Sequence, residues 1–148
     1  MGLDQYLTAK RYVSSYTDEK LFTKINEVTK EIRNNWVVNT IEMEAMYWRK
    51  CNQIHSWFVN NVQDGVDNCG SYYVSKDQLQ DLYHVVSEVL EDHSKAETLL
   101  PTGSGFFFGS TDYDEYYYGD LEVTQEKLKK ILALDNLDDY DFYYRSSW

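Results

Sequence analysis

Proline is nearly absent from this chain: Pro101 is the one example in 148 residues. That excludes a polyproline rod or a proline-rich spacer, and it leaves helices and strands without their commonest breaker. Cysteine is scarce too. Cys51 and Cys69 have neither zinc-ribbon nor thioredoxin spacing; a disulfide between them stays open, and nothing requires one. Cys51 reads as a small buried hydrophobe. The three histidines, His55, His84 and His93, show no metal-ligand pattern. No apolar run approaches the roughly 20 residues that a membrane helix needs. The opening MGLDQYLTAKRY has no apolar core beside basic residues, so no secretory leader and a cytoplasmic location are expected. A Gly-x-Ser-x-Gly elbow and a phosphate-binding loop with Lys and Ser/Thr are both missing. Positive charge is in deficit: 14 Lys+Arg face 25 Asp+Glu, and the net charge of −11 argues against direct nucleic-acid binding.

What the chain does have is rings. Hydrophobic residues make up 43% and aromatic residues 16%, enough for one real core. The length fits a single domain, 1–148. Charge is uneven along it. Residues 1–63 carry 8 Lys+Arg and 7 Asp+Glu, net +1; residues 64–148 carry 6 and 18, net −12. Cations for an anionic ligand would therefore come mainly from the first half.

Residues 5–13 alternate, with Tyr6, Thr8, Lys10 and Tyr12 on one face and Leu7, Ala9, Arg11 and Val13 on the other, which predicts a strand. Thr17-Asp18-Glu19 opens a helix whose stripe is Leu21, Ile25, Val28 and Ile32, ending near 34–35. Residues 36–44 read as a second strand. A helix is expected from about Ala45, with Tyr47, Cys51, Ile54, Phe58 and Val62 on its apolar side, ending in a turn-rich loop over 60–70. Ser75-Lys76-Asp77-Gln78 is a capping box for a long helix through Leu79, Leu82, Val86, Val89 and Leu90. GFFFG at 105–109 suggests a buried strand with Phe106 and Phe108 in the core. Tyr113, Tyr117, Leu121, Thr124, Leu128 and Ile131 keep helical spacing through Gly119. Either one helix tolerates that glycine, or two helices meet there with Thr124 as a cap. Tyr140, Phe142 and Tyr144 predict a terminal strand. The sum is a small α+β domain: about four strands with about four helices packed on them.

Two blocks combine rings with polar groups. On a helix over 47–58, Trp48, Asn52 and His55 would share one face, with Arg49 and Lys50 beside it. Trp offers a stacking surface, Asn both donors and acceptors, and Arg a fork that matches phosphate or carboxylate. In 104–120, the turn Gly109-Ser110-Thr111-Asp112 leads towards a helix, and Ser110, Thr111 or Asp112 could cap it. Phe107, Tyr113, Asp114 and Tyr116 add rings and an acceptor. Lys10 and Arg11 could add charge. Leaving aside Gly109 and Asp112, these thirteen positions form the candidate ligand site, and no cofactor or metal is expected. Each also has a plain structural role open to it, in core packing or capping.

The blocks MGLDQYL (1–7), YWRKCNQIHSWF (47–58), DNC (67–69) and LLPTGSGFFFGSTDYDEYY (99–117) together resemble a family of small proteins encoded by tailed bacteriophages. The resemblance implies a phage accessory protein working in the host cytoplasm, and it assigns no catalytic residue. Such proteins often counter host defences. That points to a binder that sequesters a small anionic, nucleotide-like signal without cleaving it. Two alternatives stand beside it: an acidic inhibitor of a host defence protein in the manner of a nucleic-acid mimic, and a nucleotide- or glycan-processing enzyme using His55 as acid/base and Arg49 as electrostatic stabiliser. The aromatic terminus YDFYYRSSW is a further candidate surface for a homo-oligomer.

Overall fold

The computed structural model describes residues 2–148. Alternation at the start does produce a strand, β1 (Asp4–Tyr12), with Gln5, Leu7 and Ala9 buried and their neighbours partly exposed. Asp18 caps α1 (Glu19–Val28) by accepting from the Leu21 N–H. The chain returns as β2 (Thr40–Arg49), followed by α2 (Asn52–Asn61), β3 (Ser71–Val74), α3 (Lys76–Glu91), the short α4 (Ala96–Leu99), α5 (Glu115–Leu132) and β4 (Asp141–Ser147). The strands form one antiparallel sheet in the order β2-β1-β4-β3. This is a single α+β domain, as the sequence predicts.

The core lies between the sheet and its helices. Leu7, Met46, Trp48, Phe142 and Tyr144 point inward from three strands and meet Ile54 and Phe58 of α2, Leu79, Leu82 and Val86 of α3, and Leu121 and Leu128 of α5. The Phe58 and Tyr144 rings stack at 3.9 Å and 7°. The other sheet face carries Tyr6, Tyr47, Tyr73 and Tyr143, with the Arg145 guanidinium 5.0 Å from the Tyr6 ring and Lys10 Nζ 4.5 Å from that of Tyr143. The capping box forms as read: Ser75 accepts from Gln78 N–H, and Gln78 returns a bond to Ser75 N–H. Helix α5 runs unbroken through Gly119, capped by Asp114, so Ser110, Thr111 and Asp112 do not cap it. Thr124 is no cap either. It is buried, donates to the Asp120 carbonyl and accepts from Trp48 Nε1 at 2.8 Å.

Four expectations are corrected. The second strand starts and ends later than read, at Thr40 and Arg49, because Thr40–Glu44 and Met46–Arg49 pair with β1 on either side of a bulge at Ala45; Trp48 and Arg49 are therefore strand residues, and α2 starts only at Asn52. GFFFG is a turn and not a strand. Phe108 N–H bonds back to the Gly105 carbonyl, no ladder forms, and Phe106 is 95% exposed. The fourth strand is SYYV at 71–74, which pairs with β4. Helix α1 stops at Val28, and none of its residues is buried; Asn26 instead clamps Val38 through both backbone groups, closing an excursion between β1 and β2. The terminal strand β4 has β1 on one side and β3 on the other, so it presents no free edge for pairing.

Two substitutions separate these readings. Phe58→Ala should cost about 3–5 kcal/mol in urea unfolding, whereas Phe106→Ser should stay within about 0.5 kcal/mol of the parent. A large loss in Phe106→Ser would mean that the triple-Phe turn is packed inside.

Candidate functional site

The turn Lys50-Cys51-Asn52 joins β2 to α2 and organises one end of the molecule. Gln5, buried on β1, donates to the Cys51 carbonyl at 3.1 Å and accepts from the Cys51 N–H at 3.0 Å. Lys50 N–H bonds the Leu3 carbonyl, and Lys50 itself sits at φ 55°, the left-handed turn conformation. Asn52 is buried and grips the 103–110 loop at both ends. Its Nδ2 donates to the carbonyls of Phe108 and Ser110 at 3.0 and 2.8 Å, and its Oδ1 accepts from Gly103 N–H at 3.0 Å. Gly109, at φ 86°, lies against Lys50 so closely that a Cβ there would come within 3.1 Å of the lysine Cβ.

These bonds bring the two sequence blocks together around a cleft of about 350 Å³. Arg49 and Lys50 line it from the β2–α2 turn. Asn52 and Gln53 form its floor. Thr102, Gly109, Ser110 and Asp112 come from the loop, and Asp114, Tyr116, Tyr117 and Asp120 from the start of α5. Tyr116 is 75% exposed. Arg49 is held by Asp4 at 3.0 Å, whereas Lys50 forms no ion pair among the described residues. Asp114 Oδ1 is engaged in capping. Burial holds the Asp120 carboxyl above its ordinary value, opposed by a hydrogen bond from Cys51 and reinforced by the charge of Asp114. The Cys51 thiol is pushed well up, by burial first and by the Asp120 charge second, so it stays protonated.

Of the thirteen sequence candidates, Arg49, Lys50, Asn52, Ser110, Asp114 and Tyr116 line this cleft. The others are placed elsewhere or behind it. Trp48 is a core residue bonded to Thr124. His55 is 1% exposed: Nδ1 lies 2.7 Å from the Tyr144 hydroxyl and Nε2 2.9 Å from Asp67, whose other oxygen accepts from Trp148 Nε1 at 3.1 Å. That chain ties the loop after α2 and the last residue to the core, and it takes His55 out of any row with Trp48 and Asn52. Thr111 accepts from the Thr102 hydroxyl, Tyr113 from Thr102 N–H, and the Phe107 carbonyl from Leu3 N–H. Lys10 pairs with Glu42, and Arg11 with Asp18 and Asp139, in a different part of the sheet.

Sequence reasoning left Gln53, Thr102, Gly109, Asp112, Tyr117 and Asp120 out of the candidate set. Asp114, Tyr117 and Asp120 recur at helical spacing, a signal that was available once α5 was placed. No group of His, Cys, Asp and Glu suited to a metal occurs among the described residues, and no helix among them is long and apolar enough to cross a membrane. No family model, curated protein or solved structure matches the chain.

Asp120 gives a pH signature. Between the ordinary carboxylate value and its raised folded value, the native state keeps a proton that the unfolded chain releases, so stability falls as pH rises through that window. Asp120→Asn removes the penalty. Its melting temperature should exceed the parent's at pH 7 and lose that advantage near pH 3, read by differential scanning fluorimetry; an advantage independent of pH would remove the buried-carboxyl account.

Proposed function

We propose that the cleft binds a small anionic, nucleotide-like ligand and holds it intact. The observation that carries this reading is the convergence of Lys50 and Arg49 with an exposed Tyr116 ring and unengaged acceptors around one pocket. The volume falls in the range of small-molecule sites, about 300–1,000 Å³. Lys50 offers three donors to a phosphate or carboxylate, and Tyr116 offers a face for a planar ring. The clamp by Asn52 fixes the loop in advance, which lowers the entropy lost on binding.

Holding is favoured over turnover by what surrounds the cleft. His55 is buried and engaged through both nitrogens, so the acid/base role considered for it lacks access. Cys51 lies behind the floor as a protonated thiol. The remaining groups bind and orient. In the phage setting that the sequence resemblance suggests, the ligand would be a nucleotide signal of host defence, and binding would remove it from its receptor.

The test is to incubate the purified protein with cell extract, wash it, denature it with heat and identify what is released by mass spectrometry. An intact nucleotide in stoichiometric amount supports sequestration. A modified product would replace it with catalysis, and no release from infected-cell extract would move the function to protein binding. For a nucleotide so identified, Lys50→Gln should weaken binding about tenfold or more, the loss of one charge-assisted hydrogen bond, with an unchanged melting temperature. Tyr116→Ala should weaken it as well.

A further inference from the structure

We infer that the excursion between β1 and β2 is a homodimer interface, through which two copies of the chain pack about a two-fold axis. The starting observation is apolar surface with nothing over it. Val28 ends α1, and Ile32, Trp36 and Val37 follow in the turns that lead back to β2. These four side chains are 59% to 80% exposed. Tyr16, at the entry to α1, is almost fully exposed as well. Single apolar residues scattered on a surface need no explanation, but a tryptophan and three aliphatic side chains in one short segment do. The segment is built to display them. Asn26 holds Val38 by both backbone groups, and Arg33 donates from Nε to the Asn26 carbonyl and from Nη1 to the Trp36 carbonyl, both at 2.8 Å. Hydrogen bonds thus order the frame while α1 buries none of its residues, and an ordered frame loses less entropy on association.

Three arguments make the occupant a second copy. The first is area. The chain exposes 9087 Å². A compact monomer of this mass exposes about 7,900 Å², so the excess is roughly 1,200 Å². A standard interface takes about 800 Å² from each partner, so one such contact per chain removes most of that excess. The second is charge. Residues 14–39 carry four Lys+Arg and four Asp+Glu, net zero, and the other residues hold the whole −11. A contact between two excursions therefore adds no net like-charge repulsion. A partner recruited by charge would be basic and would be drawn to the acidic second half instead. The third is supply. An open apolar patch is an aggregation liability, and the protein always present beside this chain is another copy of it. A two-fold axis lets the patch meet itself, and a tryptophan among aliphatic side chains with mixed charges around them has the composition of an interface core and rim. No residue of the cleft lies within 14–39, so the contact leaves the cleft open to ligand and stands independently of the binding reading.

The experiment is sedimentation equilibrium of the full chain, from low micromolar to about a tenth of a millimolar, beside the Ile32→Ser/Trp36→Ser and Tyr73→Ser variants. The parent should sediment at twice 17.6 kDa. The double variant should dissociate about a hundredfold more readily or more, since two anchor side chains are lost and the symmetry counts each of them twice. Its circular dichroism spectrum should match the parent's, because both side chains are exposed in the single chain. Tyr73→Ser, on the opposite, open face of the sheet, should keep the parent's mass. Hydrogen exchange reads the same contact without a substitution: the amides of residues 28–38 should exchange more slowly in concentrated than in dilute parent protein. A parent that stays at 17.6 kDa throughout would overturn the inference and leave the patch to a different protein. A dimer that survives in the double variant, or one that Tyr73→Ser alone dissociates, would place the contact elsewhere and overturn it too. Should the double variant fail to fold, exchange at residues 28–38 that does not depend on concentration would decide against the inference by itself.

Discussion

One buried amide holds the candidate site together. Asn52 contributes three hydrogen bonds to backbone groups of a loop more than fifty positions away in the chain, and its own side chain is almost wholly buried. Buried polar groups without partners are costly, so an amide at that depth accepts only a loop that presents two carbonyls and one N–H in the right places. The loop in turn has few internal bonds of its own. Its shape is dictated from the helix beneath it, and so are the positions of Ser110 and Asp112 above the floor. Asn52 is itself positioned by the turn before it, where Gln5 captures both backbone groups of Cys51. The order of dependence runs from β1, to the turn, to the loop, to the cleft.

That order explains what could and could not be read from the sequence. Elements decided by neighbours along the chain are legible. The alternation in β1, the Ser75–Gln78 box and the stripe from Tyr117 to Leu128 carry their own instructions, and the structure follows them. Trp48 is different. Its spacing to Asn52 and His55 fits a helix, and its spacing to Met46 fits a strand. Local pattern cannot decide between them, and pairing of Trp48 with Gln5 across the β1–β2 ladder does. The triple-Phe turn misleads for a related reason. An apolar run becomes a strand only if a ladder partner is available, and the open positions beside β4 are taken by the four residues of β3, too short a segment to announce itself.

Candidate residues sort along the same line. Arg49, Lys50 and Tyr116 were legible as chemistry, since cations and an amphipathic ring keep their character wherever they land. Whether they share a cleft is a property of the fold. His55 shows the converse. Its sequence setting suggests a reactive imidazole, yet Tyr144 and Asp67 take both nitrogens and convert it into a rivet between α2, β4 and the loop that follows α2. A histidine partnered on both sides stabilises through the groups it satisfies, and its removal would take from the buried Tyr144 hydroxyl its partner at 2.7 Å.

The uneven charge of the chain acquires a spatial meaning at the cleft. The nearly neutral first half supplies Arg49 and Lys50, and the acidic second half supplies Asp112, Asp114 and Asp120. The cleft is thus one seam between the two halves, and its mixed charge follows from the sequence order of charge and the fold that closes it. In a protein of net charge −11, the long-range field repels anions, while Arg49 and Lys50 place positive charge at this seam. Screening by salt weakens the long-range repulsion more than the close contact with Lys50. Association with a phosphate-bearing ligand should therefore quicken with rising ionic strength before the contact itself weakens, the reverse of an enzyme that steers its substrate with a favourable field.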